Sequence, residues 1–396
     1  MKRVLILALL ATLSISGAQA APKAIPVQLG SIYSAPAGTE LFLTTSKSSI
    51  FISNPTSKSS DIQVNSVDLT GTTLWQRAID SGVDEVATAA TLDPMGNIWL
   101  AGSVASGTFS ESSTSTIGID NPDLVSIDAG SNLRSDMNNL ALWKISSMGE
   151  LVGTFIFSLK SVPLITAISA TNSGISVIGA LDSKPFVISA TASGTFGKLI
   201  SIGTSKTELN ALSRNSDGTI SIFGSSTETL AGKKVAGIRD GVLIKLSKSG
   251  AITSLVRSSA LKASRSWISG DASHLLSGPV ITGKSVEIAI TKFTTAFAPS
   301  WTLRFLGTGA SATLTASGNS YLAFTSRSAI TGVSGWKPSQ PSLLVITFDS
   351  KGVMKAATAL PGLVTPISLH YSSARGVVGL ASSADGTVSI FTLASR

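Results

Sequence analysis

The chain has 396 residues, of which 43% are hydrophobic and only 13% charged, and it carries a formal net charge of +8 and no cysteine. The lack of cysteine excludes disulfides, thiolate metal sites and a cysteine nucleophile, and the apolar runs that recur along the chain exclude a disordered protein. Beyond residue 20 the longest basic run is Lys233-Lys234, so a nucleic-acid groove is not expected.

Residues 1–20 have the pattern of a signal peptide. Lys2 and Arg3 precede an apolar run, 4–13, that is too short to span a bilayer, and residues 18–20 read Ala-Gln-Ala, a small-residue cleavage site. We therefore expect residues 1–20 to be removed and the mature chain, 21–396, to be secreted, periplasmic or otherwise held in the cell envelope. Without Lys2 and Arg3, the chain has 28 basic and 22 acidic side chains, a small excess of positive charge.

A short pattern recurs along the mature chain, in which a glycine-containing turn joins two apolar runs. Its copies are TLDPMGNIWLAGS (91–103), SATNSGISVIGA (169–180), SRNSDGTISIFGS (213–225) and TASGNSYLAFTS (315–326). An apolar run on each side of such a turn is typical of a β-hairpin. The pattern divides the chain into seven units of roughly 45–55 residues, each with four predicted strands.

The two ends of the chain predict how these units are joined. The last unit has three strands, 366–372, 377–382 and 387–394, whereas residues 25–34 form a strand without a hairpin partner. We predict that 25–34 pairs with 387–394, because this pairing completes the last unit and removes an open sheet edge. The predicted fold is therefore one all-β domain, 21–396, a β-propeller of seven four-stranded blades closed by its N-terminal strand.

The side-chain pattern within the strands favours this fold over two alternatives, a membrane-spanning barrel and a pair of β-sandwich domains. Ile98 and Leu100 point to one side of their strand and Trp99 and Ala101 to the other, so both faces are apolar. Apolar side chains on both faces are expected where each sheet packs between two others, and barrel strands would instead alternate apolar and polar side chains.

Several segments resemble the bacterial seven-bladed β-propeller repeats called SBBP repeats. DPMGNIWLAG (93–102) is similar to the first half of that repeat, and NLALWKISSMGELVGTF (139–155) and DGVLIKLSKSGAITSL (240–255) are similar to the second half. The tryptophan that ends the repeat is present as Trp75 and Trp301. The resemblance implies an exported propeller scaffold, and it carries no shared catalytic residues.

Three predicted connections are long: 104–139, 226–240 and 326–341. In a propeller they lie on one face, where loops held by a rigid scaffold form a recognition surface, although drift in loop length remains an alternative. The candidate ligand-binding residues are Lys233, Lys234 and Arg239 in the second loop and Trp336 in the third. An exposed Trp336 could stack on a sugar or a peptide; the alternative is an indole that caps its own blade.

The first long loop contains Asp120, Asp123 and Asp128, whose carboxylates are candidate Ca²⁺ ligands. Their spacing matches neither the EF-hand loop nor the glycine-rich calcium-binding repeat, so a solvated polar loop is the favoured interpretation. No cofactor is expected.

Catalytic motifs are absent from the sequence. His274 and His370 are the two histidines, and neither lies near a recognisable nucleophile motif. We therefore favour a non-enzymatic, exported propeller scaffold that binds a protein or polysaccharide of the cell envelope through its long-loop face. The alternative is a carbohydrate-active or quinone-dependent propeller enzyme with a site at the central channel. No nucleic-acid partner and no membrane span beyond the signal peptide are expected.

Overall fold

The computed structural model describes residues 24–55, 60–107 and 135–393, and these form strands, turns and connections. The strands of the first half are β1 Ile25–Leu29, β2 Ser31–Ser34, β3 Leu41–Thr44, β4 Ser48–Ser53, β5 Ile62–Asp68, β6 Thr73–Ile79, β7 Glu85–Leu92, β8 Ile98–Val104, β9 Asn139–Ile145, β10 Leu151–Ser158, β11 Pro163–Thr171, β12 Gly174–Leu181, β13 Lys184–Ala190, β14 Ile200–Ser201 and β15 Thr207–Arg214.

The strands of the second half are β16 Ile220–Ser226, β17 Asp240–Leu246, β18 Ile252–Ser258, β19 Ser264–Arg265, β20 Ser269–Gly270, β21 Leu275–Thr282, β22 Ser285–Phe293, β23 Pro299–Ala316, β24 Asn319–Ser326, β25 Val333–Ser334, β26 Ser342–Phe348, β27 Met354–Leu360, β28 Leu363–Ser372, β29 Gly376–Ser383 and β30 Val388–Thr392. None of the described segments forms a helix that is long and apolar enough to span a membrane.

The strands assemble into an all-β propeller, but not into seven four-stranded blades. Five sheets are four-stranded and antiparallel: β3–β6, β7–β10, β11–β14, β15–β18, and β28, β29 and β30 with β2. The other ten strands form one sheet in the order β19-β21-β22-β23-β24-β26-β27-β1-β25, with β20 also paired to β21. The predicted count of seven is therefore wrong, and the structure has five four-stranded blades.

The reason for the wrong count lies in β23. The segment around Gly307 reads as a link between two units, but the backbone stays extended from Pro299 to Ala316. Its first part pairs with β22 and its second part with β24, and the register shifts between Gly307 and Ser311. One continuous strand thus joins two predicted units into the ten-stranded sheet.

The N-terminal segment closes the propeller through two separate strands, β1 and β2. β2 pairs antiparallel with β30, from Ser31 opposite Thr392 to Ser34 opposite Ser389, which confirms the predicted pairing for residues 31–34. β1 instead pairs parallel with β27 and with β25, so the prediction is wrong for residues 25–29. The two strands separate at Gly30, where a Cβ atom would lie 2.6 Å from a methyl group of Leu360. A larger residue here would have to displace the buried side chain of Leu360.

Neighbouring sheets share hydrophobic cores, as the two apolar faces of the strands predict. The buried side chains of Ile98 and Leu100 pack into the core between β3–β6 and β7–β10. Trp99 and Ala101, on the other side of β8, pack into the core shared with β11–β14. The innermost strands also meet in succession, and the last of them, β28, contacts β3 of the first sheet.

Because strands alternate in direction within each blade, the link between the second and third strands lies at the same end as the link to the next sheet. We call this end the long-loop face. Its described connections comprise residues 35–40, 54–55, 60–61, 80–84, 105–107, 135–138, 159–162, 182–183, 202–206, 227–239, 259–263, 283–284, 327–341, 361–362 and 384–387.

Candidate functional site

The loop 227–239 presents its two lysines on a tight turn. Leu230 and Lys233 exchange backbone hydrogen bonds of 3.1 and 2.8 Å, and the two residues between them, Ala231 and Gly232, have φ angles of 43° and 75°. Two successive positive φ angles are characteristic of a type I′ turn. Leu230 is buried beneath the turn, and the side chains of Lys233 and Lys234 are exposed at its tip.

The base of this loop is fixed by a buried acid. Asp240 is fully buried, and its carboxylate accepts hydrogen bonds of 2.9 Å from the backbone N–H groups of Ala236 and Gly237. Arg257 lies 3.5 Å from the same carboxylate, and its Nε donates to the carbonyl of Lys233 at 3.1 Å. The position of the lysines is therefore set by backbone contacts, and their ammonium groups are not used to hold the loop.

A second acid anchors the start of the loop. The Glu228 carboxylate accepts hydrogen bonds from Thr207 Oγ1 and from the backbone N–H of Thr204, both at 2.6 Å. Partial burial acts to raise the pKa of Glu228, but the hydrogen bonds from Thr207 and Thr204 outweigh it and hold the pKa below its ordinary value. Glu228 therefore stays ionised at neutral pH and keeps its hold on the loop.

Arg239 differs from the two lysines. Its guanidinium lies 2.8 Å from Glu208 Oε1 and donates to Ser225 Oγ at 3.0 Å. In contrast, no carboxylate forms an ion pair with Lys233 or Lys234 within the described ranges. Of the three predicted basic ligands, the structure thus presents two exposed ammonium groups and one guanidinium already engaged by the protein.

Trp336 folds back onto its own sheet. Its half-buried indole packs against the core of the ten-stranded sheet, and Nε1 donates to Ser326 Oγ at 3.0 Å. This is the capping arrangement that the sequence left as the alternative. Its role as a stacking surface for a ligand stays a prediction.

The candidate Ca²⁺ ligands Asp120, Asp123 and Asp128 lie outside the described residues, as does most of the 104–139 loop. Calcium binding by that loop stays a prediction. The predicted signal peptide, residues 1–20, likewise lies outside them, and export stays a prediction.

The two histidines lie in aromatic surroundings. The His370 ring is 5.4 Å from that of Phe42, and burial lowers the pKa of His370 to about 4. His274 Nε2 lies 3.3 Å from Ser221 Oγ, a contact that the sequence did not predict. Both residues of this pair are buried, at 8% and 1% exposure, so a substrate cannot reach the hydroxyl. The pair acts as a structural contact between sheets.

Two grooves were also missed, because each is lined by residues far apart in the sequence. An apolar groove of about 390 Å³ opens on the long-loop face between Val86, Met137 and the segment 162–165. A polar groove of about 490 Å³ lies between the ten-stranded sheet and the last blade, and its wall includes Tyr321 and Tyr371.

Comparisons with known proteins give limited information. No family model matches the chain, so the resemblance to SBBP repeats is without that support, and no curated protein sequence matches it. A solved structure of a protein from Lactobacillus plantarum is 12% identical, covering 86% of this chain and 94% of that chain with a TM-score of 0.47.

Two further solved structures are similar to the same degree. The Dos1 propeller is 8% identical over 93% of this chain and 95% of that chain, with a TM-score of 0.47. BBS1N, solved in complex with ARL6DN, is 12% identical over 93% of this chain and 98% of that chain, with a TM-score of 0.46. These similarities are too low to carry an argument about family or function, and the propeller architecture is established by the sheet topology of the chain itself.

Proposed function

We propose that the chain is an exported, non-enzymatic propeller scaffold that binds an acidic protein of the cell envelope on its long-loop face. The observation that carries this proposal is the pair of exposed lysines, Lys233 and Lys234, on a turn that the rest of the loop holds in place. Export is supported by the signal-peptide pattern of residues 1–20. A rigid loop loses little conformational entropy on binding, which favours recognition.

The surroundings of the lysines favour a protein as the partner. The backbone N–H of Ile238 donates to the carbonyl of Ala263 at 2.9 Å, so the loop 227–239 lies beside the link 259–263. Ile238 and Leu261 are 62% and 84% exposed, and Lys262 is exposed next to them. We call Lys233, Lys234, Ile238, Leu261 and Lys262 the basic patch. Apolar side chains bordered by lysines fit a protein surface with an apolar centre and an acidic rim.

A polysaccharide would be expected elsewhere. Its rings stack on aromatic side chains, and the basic patch has none. The polar groove beside Tyr371 offers an aromatic ring and polar side chains together, and so does a groove beside Tyr33 and Asp68. This difference allows the two partner classes to be separated by mutation.

The test compares three variants for retention of two purified envelope fractions, one of proteins and one of protein-free polysaccharide. We expect Lys233→Glu/Lys234→Glu to lower the affinity for the protein fraction about tenfold or more, and to reduce its salt dependence. Lys47→Glu/Lys248→Glu, which changes two exposed lysines in turns at the opposite end of the strands, is the matched control and keeps the affinity. Retention of polysaccharide alone, lost in Tyr371→Ala, would contradict a protein partner.

A further inference from the structure

Three acidic side chains meet where the first two blades join. Asp61 precedes β5, Asp80 follows β6, and Glu85 begins β7, so all three lie at the long-loop face. One carboxylate oxygen from each residue lies within 4.8 Å of the other two. The segments that carry them are tied together, because the N–H of Glu85 donates to the carbonyl of Ser60 at 2.6 Å.

Glu85 is the unusual member of this group. The residue is completely buried, and its Oε1 accepts hydrogen bonds from the hydroxyl of Ser81 and, at 2.8 Å, from its N–H. Its Oε2 is also buried, and no donor of the described protein reaches it. A buried carboxylate oxygen without a partner is costly, so its presence beside two further carboxylates requires an explanation.

The charges around Glu85 also oppose its ionisation. Burial raises the pKa of Glu85 most strongly, the hydrogen bonds from Ser81 lower it in part, and the charges of Asp61 and Asp80 raise it further. A cation shared by the three carboxylates would offset the charge that Asp61 and Asp80 add beside the buried Glu85 Oε2, which no donor of the described residues reaches. The three oxygens lie within 4.8 Å of one another, so a small movement of the side chains toward a shared ion would bring all three to the oxygen distance of about 2.4 Å that Ca²⁺ prefers.

We propose that Asp61, Asp80 and Glu85 bind one divalent cation of the Ca²⁺ class, with Glu85 Oε2 as the buried ligand and water completing the coordination. The ligands are all oxygens, and without a histidine or a cysteine the group does not suit Zn²⁺ or Cu²⁺. Mg²⁺ fits less well, because it retains most of its water and demands octahedral geometry at about 2.1 Å. The bound ion would link the connection before β5 to the start of β7 and so brace the first two blades. This inference is independent of the proposed function.

The experiment titrates the EDTA-treated chain with CaCl₂ or MgCl₂ at pH 7.5, using calorimetry for stoichiometry and thermal unfolding for stability. We expect one Ca²⁺ per chain, a higher melting temperature with Ca²⁺ than with EDTA, and weaker binding of Mg²⁺.

Substitutions of the proposed ligands test whether Ca²⁺ binds at this group of acids. Glu85→Gln and Asp80→Asn are expected to lower the Ca²⁺ affinity about tenfold or more. Because Asp80 is exposed, its variant remains informative if Glu85→Gln fails to fold. Glu150→Gln, an exposed acid in a turn at the opposite end of the strands, is the control and keeps the affinity.

Two outcomes would overturn the proposal. One is the absence of binding heat and of any change in melting temperature at millimolar Ca²⁺. The other is a Ca²⁺ response that survives in Glu85→Gln and Asp80→Asn but is lost in Asp120→Asn/Asp123→Asn/Asp128→Asn, which would place the ion in the 104–139 loop.

Discussion

Both histidines of the chain are packed against aromatic rings. His370 lies edge-on to Phe42, and His274 lies 5.3 Å from the ring of Phe297 and 6.0 Å from that of Phe223. An imidazole loses hydration in such surroundings, and burial lowers the pKa of both residues. At neutral pH the rings are therefore uncharged and act as aromatic core side chains.

This burial predicts a loss of stability in acid. The unfolded chain protonates His370 as the pH falls through about 6.5, whereas the folded protein does so only near pH 4. Between these values the unfolded state binds more protons than the folded state. The free energy of unfolding therefore decreases as the pH is lowered, by up to about 3 kcal/mol for this residue. Urea unfolding at pH 7 and pH 4.5 measures this loss, and His370→Gln should show less of it than the natural protein. Equal losses in the two proteins would mean that His370 titrates normally in the fold.

At the scale of the strands, an outer strand of one repeat covers a turn glycine of the next. Trp75 of β6 lies over Gly149 and donates its Nε1 to the carbonyl of Ser147, and Trp301 of β23 lies over Gly352 and donates to that of Ser350. The same contact is made by other side chains, with Phe155 over Gly194 and Ile200 over Gly250. The four glycines share positive φ angles of 83° to 87°. The turn glycine therefore recurs from repeat to repeat because a large outer-strand side chain of the preceding repeat packs directly over it.

Substitution of one such glycine separates steric contact from backbone strain. A Cβ atom at Gly149 would lie 2.5 Å from the Trp75 indole, whereas at Gly71, in the equivalent turn of the first blade, nothing lies within 4 Å. Both glycines have positive φ. We expect Gly71→Ala to cost about 1 kcal/mol for the backbone and Gly149→Ala to cost about 2–3 kcal/mol, because the indole must also move. Thermal or urea unfolding measures both costs, and equal costs would show that the Trp75 indole moves aside without loss of stability.

The sequence predicts hairpins well and the joints between them less well. Turn glycines and strands with two apolar faces, such as 98–101, are local signals, and they are enough for the all-β propeller. The continuity of β23 through Gly307 could not be predicted, because a glycine-rich segment suits a link and an extended strand equally. The group of Asp61, Asp80 and Glu85 also has no sequence signature, since backbone pairing between distant segments brings the three acids together.

At the scale of the molecule, the N-terminal segment joins the two ends of the chain. β1 extends the ten-stranded sheet beside β27, and β2 completes the blade formed by β28–β30. Residues 25–34 therefore belong to two sheets at once and hold the junction between them. Sheet edges that would otherwise be open at β27 and β30 are paired by this segment.

A disulfide tests this junction directly, because the natural chain has no cysteine. Ser34 and Ser389 lie opposite each other in the β2–β30 pair. We expect Ser34→Cys/Ser389→Cys to oxidise readily and to be more stable than its reduced form by about 4–5 kcal/mol, since the bond closes nearly the whole chain into a loop. Thiol titration and urea unfolding of the two forms measure this. Failure to oxidise in the folded protein would contradict the pairing.

The shared last blade also determines when folding can finish. Its first three strands are the final strands of the described chain, and its fourth is among the earliest. A nascent chain can assemble its hairpins locally as they appear, but this blade requires a contact of very high sequence separation, which is slow to form. Until then β30 presents an unpaired edge to other chains, and such edges promote aggregation. We therefore expect the yield of correctly folded protein to depend on the rate at which β2 reaches β30.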